Sequence, residues 1–225
     1  MPSGSNPRGY ALWFEDINKA AFVRFEASQR KAIVEKYASI YASVETVPDA
    51  LIRTPLQRAI QILKRHRDIY FKDNPKVKPI SMIVTTLATK AYNGETEIYT
   101  ALTNIVNKLT NYDTSMLIGH IDGEWWIPNP VNPAENFADR WHENNHACAR
   151  AFFEWLSKLK KDFDTASREI DLQKISETLS ASFGEKIVEK TFEKFNVSAK
   201  PKIPNVIISP SLREFSPRTK PWGRY

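Results

Sequence analysis

The sequence predicts a mainly α-helical fold, a bundle of about six to eight helices with one short β-hairpin. Apolar residues recur at helical spacing along most of the chain, and glycine is scarce, with seven in 225 residues. Only residues 116–127 have a clear β pattern, because two short apolar runs flank the turn pair Asp122-Gly123. An apolar content of 42% with 12% aromatic residues is typical of a folded protein with a substantial core.

The predicted elements follow the chain in order. Thr54, Pro55 and Gln57 form a capping box with proline at the first helical position, so a helix begins there and runs to Asp73. Residues 79–93 are apolar nearly all round, which predicts a helix in the core. The stretch PNPVNPAENF is interpreted as a fixed, extended loop because it is rich in proline and asparagine. The helices are predicted over 10–41 (one long helix or two abutting ones), 54–73, 79–93, 95–112, 134–166 and 171–196 (one or two helices, with a possible break at Gly184).

Three segments differ in composition and charge. Residues 1–9 are interpreted as a flexible leader or a cloning remnant, 10–198 as the helical domain, and 199–225 as a basic, proline-rich tail. Residues 53–78 contain eight Lys or Arg and two Asp, a net charge of +6 that equals that of the whole chain. This asymmetry indicates a local phosphate or polyanion site rather than a surface that coats DNA.

The basic residues of the helix over 54–73 allow two interpretations. Helical spacing places Arg67 in the middle of the apolar stripe and Lys64 at its edge. Because an unpaired buried charge is costly, Arg67 needs an anionic partner, and we expect an internal carboxylate. Either the helix has a solvated basic face with one ion pair, or Lys64 and Arg67 form an anion site. Spacing alone does not choose between them.

Other candidate sites are weak. His142 and His146 stand four residues apart, a spacing that can bind zinc, but no third ligand is evident, so a structural pair is expected. Cys148, the single cysteine, excludes an internal disulfide, fits a reducing cytoplasm and is expected to be a core thiol. The sequence has no P-loop and no dinucleotide fingerprint, and it lacks the Gly-Ser turn with Asp-x-Asp that marks two-metal nucleotidyltransferases.

Three motifs nevertheless carry a resemblance. LQRAIQILKRHRDIYF, KPISMIVTTLATKAY and IPNPVNPAENFADRW, in this order, resemble the C-terminal half of bacterial cyclic-oligonucleotide synthases, the CD-NTases. These enzymes of anti-phage (CBASS) signalling are similar to cyclic GMP–AMP synthase and the oligoadenylate synthetases. The resemblance covers roughly residues 9–165.

The resemblance implies roles for particular residues. Lys64 matches the helical lysine that contacts the donor triphosphate, and Ser81 matches a serine that also touches phosphate; Arg65 and Arg67 are the further candidates beside them. Met82 stands where relatives often have a tyrosine that stacks on a base, which argues against base stacking here. Within NPVNPAEN, we interpret the role as structural for three residues: Asn129, Glu135 and Asn136.

The resemblance also implies that nucleotide binding and metal-dependent catalysis involve different domains. The chain would be a nucleoside triphosphate-binding domain that holds no metal or cofactor alone, whereas a palm domain, in cis or in trans, would hold Mg²⁺. ATP and GTP would be substrates of the complete enzyme, and this chain alone is expected to be inactive and cytoplasmic. Two alternatives remain open: a stand-alone module that binds a nucleotide or cyclic oligonucleotide, and a helical domain that binds a protein partner without a ligand. No feature points to a membrane, DNA or RNA.

Overall fold

The computed structural model describes residues 6–36, 53–111, 116–186 and 188–189. The helices whose bounds lie in these ranges are α1 (Pro7–Lys36), α2 (Pro55–Tyr70), α3 (Ser81–Ala91), α4 (Ile98–Thr110), α5 (Glu143–Arg168) and α6 (Leu172–Phe183). The strands are β1 (Gly119–Ile121), β2 (Glu124–Trp126), β3 (Pro128–Asn129) and β4 (Asn132–Asn136). This confirms the mainly helical fold class. None of the helices in these ranges is both long and apolar enough to span a membrane.

The core lies among helices α2 to α5. Helix α3 is central, because seven of its eleven residues are buried, as its continuous apolar sequence predicts. Helix α5 contributes the largest fully buried side chains, Trp155 and Phe152. Burying a side chain of this size stabilises the fold by about 1.5–3 kcal/mol, so the packing of α5 on the other helices is a main source of stability.

Helix α2 begins where the capping box predicts. The Thr54 hydroxyl accepts a hydrogen bond from the Gln57 backbone N–H at 3.2 Å, and the Gln57 side chain accepts one from the Thr54 N–H at 2.9 Å. Thr54 Oγ1 also donates to Asn18 Oδ1 at 2.6 Å, which joins the start of α2 to α1. The predicted apolar stripe is buried except at its end, where Tyr70 is 38% exposed.

The β structure is more extensive than predicted. Strands β1 and β2 pair around Asp122-Gly123, both with positive φ, so the predicted hairpin is confirmed. The segment predicted as an extended loop instead forms a second antiparallel pair, β3 with β4. Asn136 stabilises it: its side chain accepts from the N–H groups of Ile127 and Ala138 and donates to the Trp125 carbonyl.

The predicted starts of helices α5 and α1 differ from the structure. Helix α5 begins at Glu143 and not at 134, because 132–136 pair as a strand and turns follow. Helix α1 begins at Pro7, three residues before the predicted start. The predicted break at Gly184 is present, since α6 ends there with a φ of 90°. Residues 37–41, the tail 199–225 and most of the predicted leader lie outside the described residues.

Candidate anion site at helices α2 and α3

Arg67 joins helix α2 to the start of helix α3. The residue is only 5% exposed, and its Nη1 donates to Ser81 Oγ at 3.0 Å and to the Pro79 carbonyl at 3.3 Å. Its Nε and Nη2 donate to Asp68 Oδ1 at 3.1 and 2.7 Å. The expected carboxylate partner is therefore present. It is not internal, however, because the Asp68 side chain is 45% exposed and lies where the guanidinium reaches the surface.

Ser81 presents hydrogen-bond donors at the start of α3. It is the first residue of the helix, it is exposed, and its hydroxyl accepts from Arg67, so its own O–H proton is free to donate elsewhere. Among the residues that the structure describes, no side chain caps this end of α3. The N–H groups of the first turn are therefore also available, and the end of a helix with such groups attracts anions.

Lys64 lies one turn before Arg67 on α2 and is partly buried. Burial lowers the pKa of its ammonium, the nearby charge of Arg67 lowers it further, and Asp68 opposes both effects. Within the described residues, Lys64 makes no side-chain hydrogen bond or ion pair. A half-buried cation without a fixed partner is suited to bind an anion from outside.

Arg65 points away from this site. It is exposed, and its Nε donates to the Phe183 carbonyl at 2.8 Å, at the end of α6. It also lines a mainly apolar cavity of about 610 Å³ between α2, α4, α5 and α6. The structure thus brings Arg67 and Ser81 together beside Lys64, but it does not bring Arg65 to them.

A buried hydrogen-bond network on the opposite side of α2 was missed by the sequence analysis. His66 is 2% exposed; its Nδ1 accepts from Trp155 Nε1 at 2.9 Å, and its Nε2 lies 3.1 Å from Asp162 Oδ2. Because an indole N–H can only donate, the hydrogen of neutral His66 is assigned to Nε2 and points at Asp162. Asp162 also accepts from Ser182 at 2.7 Å and from Lys158. The network therefore holds α2 against α5 and α6.

The network has opposite effects on its two titrating groups. Burial lowers the pKa of His66 more than Asp162 raises it. Burial alone would raise the pKa of Asp162, but hydrogen bonds from Lys158, Ser182 and His66 outweigh it, so this pKa is below its ordinary value. The folded state therefore favours neutral His66 with ionised Asp162. A signal existed in the sequence, since His66 has the same helical spacing as Ala59 and Leu63.

The candidate zinc pair does not form a regular helical arrangement. Residues 144–146 have left-handed backbone angles, so His142 and His146 are not one α-helical turn apart. Cys148 is partly buried and packs against the core. In the part of the chain that the structure describes, no three His, Cys, Asp or Glu residues come close enough together to hold a metal ion.

Comparison with known proteins finds relatives in one class. No family model matches the chain. It is 31% identical over 183 residues to a c-di-GMP synthase of Roseivirga ehrenbergii, covering 80% of this chain and 44% of the relative. It is 24% identical over 180 residues to the cyclic dinucleotide synthase CdnG of Bradyrhizobium diazoefficiens, covering 77% and 42%. The chain therefore spans less than half the length of these relatives.

A solved structure shares the fold. The CD-NTase CdnG of Bradyrhizobium diazoefficiens in complex with GTP aligns with a TM-score of 0.51 and 22% identity, over 68% of this chain and 43% of CdnG. The helices described above thus have the arrangement of a part of a CD-NTase. With the sequence matches, this shows that the chain is a relative of the bacterial CD-NTases, as its three motifs predict.

Proposed function

We propose that this chain is the C-terminal, triphosphate-binding domain of a bacterial cyclic-oligonucleotide synthase. The observation that carries the proposal is the hydrogen bond from Arg67 to Ser81, which places the uncapped start of α3 beside the face of α2 that carries Lys64. In this proposal the ammonium of Lys64, the hydroxyl of Ser81 and the first backbone N–H groups of α3 bind the same anion. This combination suits a phosphate chain. The relation to cyclic dinucleotide synthases supports the same conclusion.

The site residues have different roles in this proposal. Lys64 and Ser81 contact phosphate directly. Arg67 positions Ser81 and does not contact the ligand, because four of its five N–H donors are already used by Ser81, Pro79 and Asp68. Arg65 is outside the site. Met82 offers no aromatic ring, so the base must be recognised elsewhere.

The catalytic step requires groups that Lys64 and Ser81 do not supply. Transfer of a nucleotidyl group to a hydroxyl uses carboxylates that hold two metal ions about 4 Å apart. We propose that a palm domain, in the same polypeptide or in a partner, supplies these carboxylates and Mg²⁺, with ATP or GTP as substrates. The 225-residue chain alone would then bind nucleotide weakly and form no product. Its place would be in cytoplasmic anti-phage signalling.

Calorimetric titration of the chain with GTP, ATP and inorganic tripolyphosphate tests the proposal. Lys64→Ala should weaken binding by about 1–3 kcal/mol, the contribution of a charge-assisted hydrogen bond, and should leave thermal stability nearly unchanged. Lys72→Ala is the matched control, because Lys72 is 67% exposed in the turn after α2. The same titrations should be repeated with a palm domain present.

Two results would contradict the proposal. If Lys64→Ala binds triphosphate as tightly as the unaltered chain does, the site is wrong. If a cyclic dinucleotide binds and no triphosphate does, the chain is a stand-alone binding module instead.

A further inference from the structure

A second lysine lies beside the proposed triphosphate site. Lys78 precedes Ser81 by three residues, in the segment that links the short 3-10 turn Pro75–Val77 to helix α3. Its Nζ is 3.5 Å from Asp68 Oδ1, and its side chain is 37% exposed. The same carboxylate oxygen accepts from Arg67, whose other nitrogen donates to Ser81. Contacts therefore connect Lys78 to Ser81 through Asp68 and Arg67.

The contact between Lys78 and Asp68 is the weakest of this set. Arg67 satisfies Asp68 with two shorter hydrogen bonds, at 2.7 and 3.1 Å, and both of these come from a buried, rigid guanidinium. A half-exposed lysine bridge contributes about 0–1 kcal/mol. The ammonium of Lys78 can therefore leave Asp68 at little cost, while Arg67 stays in place and keeps the carboxylate paired.

The charges near Ser81 favour this exchange. Asp68 carries one negative charge and interacts with three cations, Arg67, Lys64 and Lys78, so this group of four residues has a net charge of +2. They come from different segments, Lys64 from α2 and Lys78 from the approach to α3, and both are close enough to Asp68 to interact with its charge. A triphosphate carries several negative charges, and a single lysine balances only one of them.

We propose that Lys78 is a second phosphate-binding lysine of this site. Its ammonium contacts Asp68 when the site is empty and contacts the anion when one is bound. The inference rests on the proposed function, because it needs a triphosphate at Lys64 and Ser81. Asp68 thereby acts as a positioning residue that keeps both Arg67 and Lys78 directed at the start of α3.

Calorimetric titration with inorganic tripolyphosphate and with GTP, at low and at physiological salt, tests the role of Lys78. Lys78→Met should weaken binding about tenfold, as expected for the loss of one charge-assisted contact, and Lys78→Arg should restore most of the affinity. Lys76→Met is the matched control: it removes the same charge two residues away, from an exposed residue outside the contacts of Asp68. It should change affinity less than twofold. All three variants should melt within about a degree of the unaltered chain, because the bridge is weak.

Separate outcomes distinguish the inference from the proposed function. If the unaltered chain binds tripolyphosphate but Lys78→Met and Lys76→Met lose affinity equally, Lys78 is only a surface charge and the inference is wrong. If the unaltered chain binds neither tripolyphosphate nor GTP, with or without a palm domain, the proposed function itself fails. A selective loss with Lys78→Met that Lys78→Arg restores supports both.

Discussion

At Arg67 the neighbouring groups, and not the position in the helix, decide what the residue does. Helical spacing correctly indicates that its guanidinium turns inward, but it leaves the partner open. The structure supplies Asp68, Ser81 and the Pro79 carbonyl, so the guanidinium is nearly saturated within the protein. Asp68 directly follows Arg67 in the sequence, so it could have been named as a candidate partner. The bonds of Arg67 to Pro79 and Ser81 form because the segment before α3 lies against α2, and helical spacing does not predict that contact.

Arg67→Ala should lower the free energy of unfolding by about 2 kcal/mol, because Ser81 and Pro79 lose their donors. The loss is smaller than the 3–5 kcal/mol or so expected for stranding a buried carboxylate, since water can hydrate the 45%-exposed Asp68. Urea unfolding measures the difference. Arg65→Ala is the control: it removes one surface bond to the Phe183 carbonyl and should cost less than about 1 kcal/mol. Equal effects of the two substitutions would contradict the bridging role of Arg67.

At the scale of single elements, the sequence predicts a helix boundary correctly where all the residues of a capping motif are present. The start of α2 is predicted correctly because Thr54, Pro55 and Gln57 together satisfy the free N–H groups of the first turn. The start of α5 is predicted nine residues too early. The helical spacing of its apolar residues continues toward the N-terminus beyond the true start of the helix. The backbone of 132–136 instead pairs with β3, and the spacing does not reveal this pairing.

The first turn of α5 allows a sharp test. Asn144, Asn145 and His146 have φ of 50–58°, a left-handed conformation that costs most residues about 1–2 kcal/mol each and that asparagine and glycine tolerate best. Asn145→Gly should therefore be more stable than Asn145→Ala, by about 1 kcal/mol in thermal or urea unfolding. In a right-handed helix the order reverses, because alanine is favoured over glycine by about the same amount. Ser157→Gly and Ser157→Ala, at an exposed position in the regular part of α5, give the reversed order as a control.

For the whole molecule, the sequence predicts the class of fold better than it predicts the polar interior. The apolar spacing of the helices and the net charge of residues 53–78 depend on residues close together in the sequence, so they can be recognised without the structure. The network of His66, Trp155 and Asp162 is different, because its members are separated by 89 and 96 residues and meet only when α2 packs on α5. The spacing of His66 indicates that its side chain is buried, but it does not identify the partners, which lie far away in the sequence.

This network predicts how the stability of the whole chain depends on pH. The unfolded chain protonates a histidine at about pH 6.5, whereas the folded chain resists protonation of His66 because burial lowers its pKa. Protonation therefore favours unfolding, and the free energy of unfolding should fall as pH drops below about 6.5, by up to about 1.4 kcal/mol per pH unit. Ionised Asp162 loses its own contribution only in more acidic solution, as pH falls through its lowered pKa.

Urea unfolding at pH 7.5, 6.5 and 5.5 measures this dependence. His66→Gln removes the buried imidazole and should flatten the decline between pH 6.5 and 5.5, although it lowers stability at pH 7.5. His142→Gln changes an exposed histidine and should keep the decline of the unaltered chain. Parallel curves for the unaltered chain and His66→Gln would show that another group controls the acid sensitivity.

The hydrogen bond from Trp155 to His66 also gives the chain an internal spectroscopic marker. The chain has six tryptophans, so a proton NMR spectrum contains at most six indole N–H signals, in a region with few others. The Trp155 proton is bonded to an imidazole nitrogen at a fully buried position, so its signal should lie apart from the solvated ones and exchange slowly with D₂O. Any ligand that shifts α2 relative to α5 would move this single resonance, whichever side of α2 it binds.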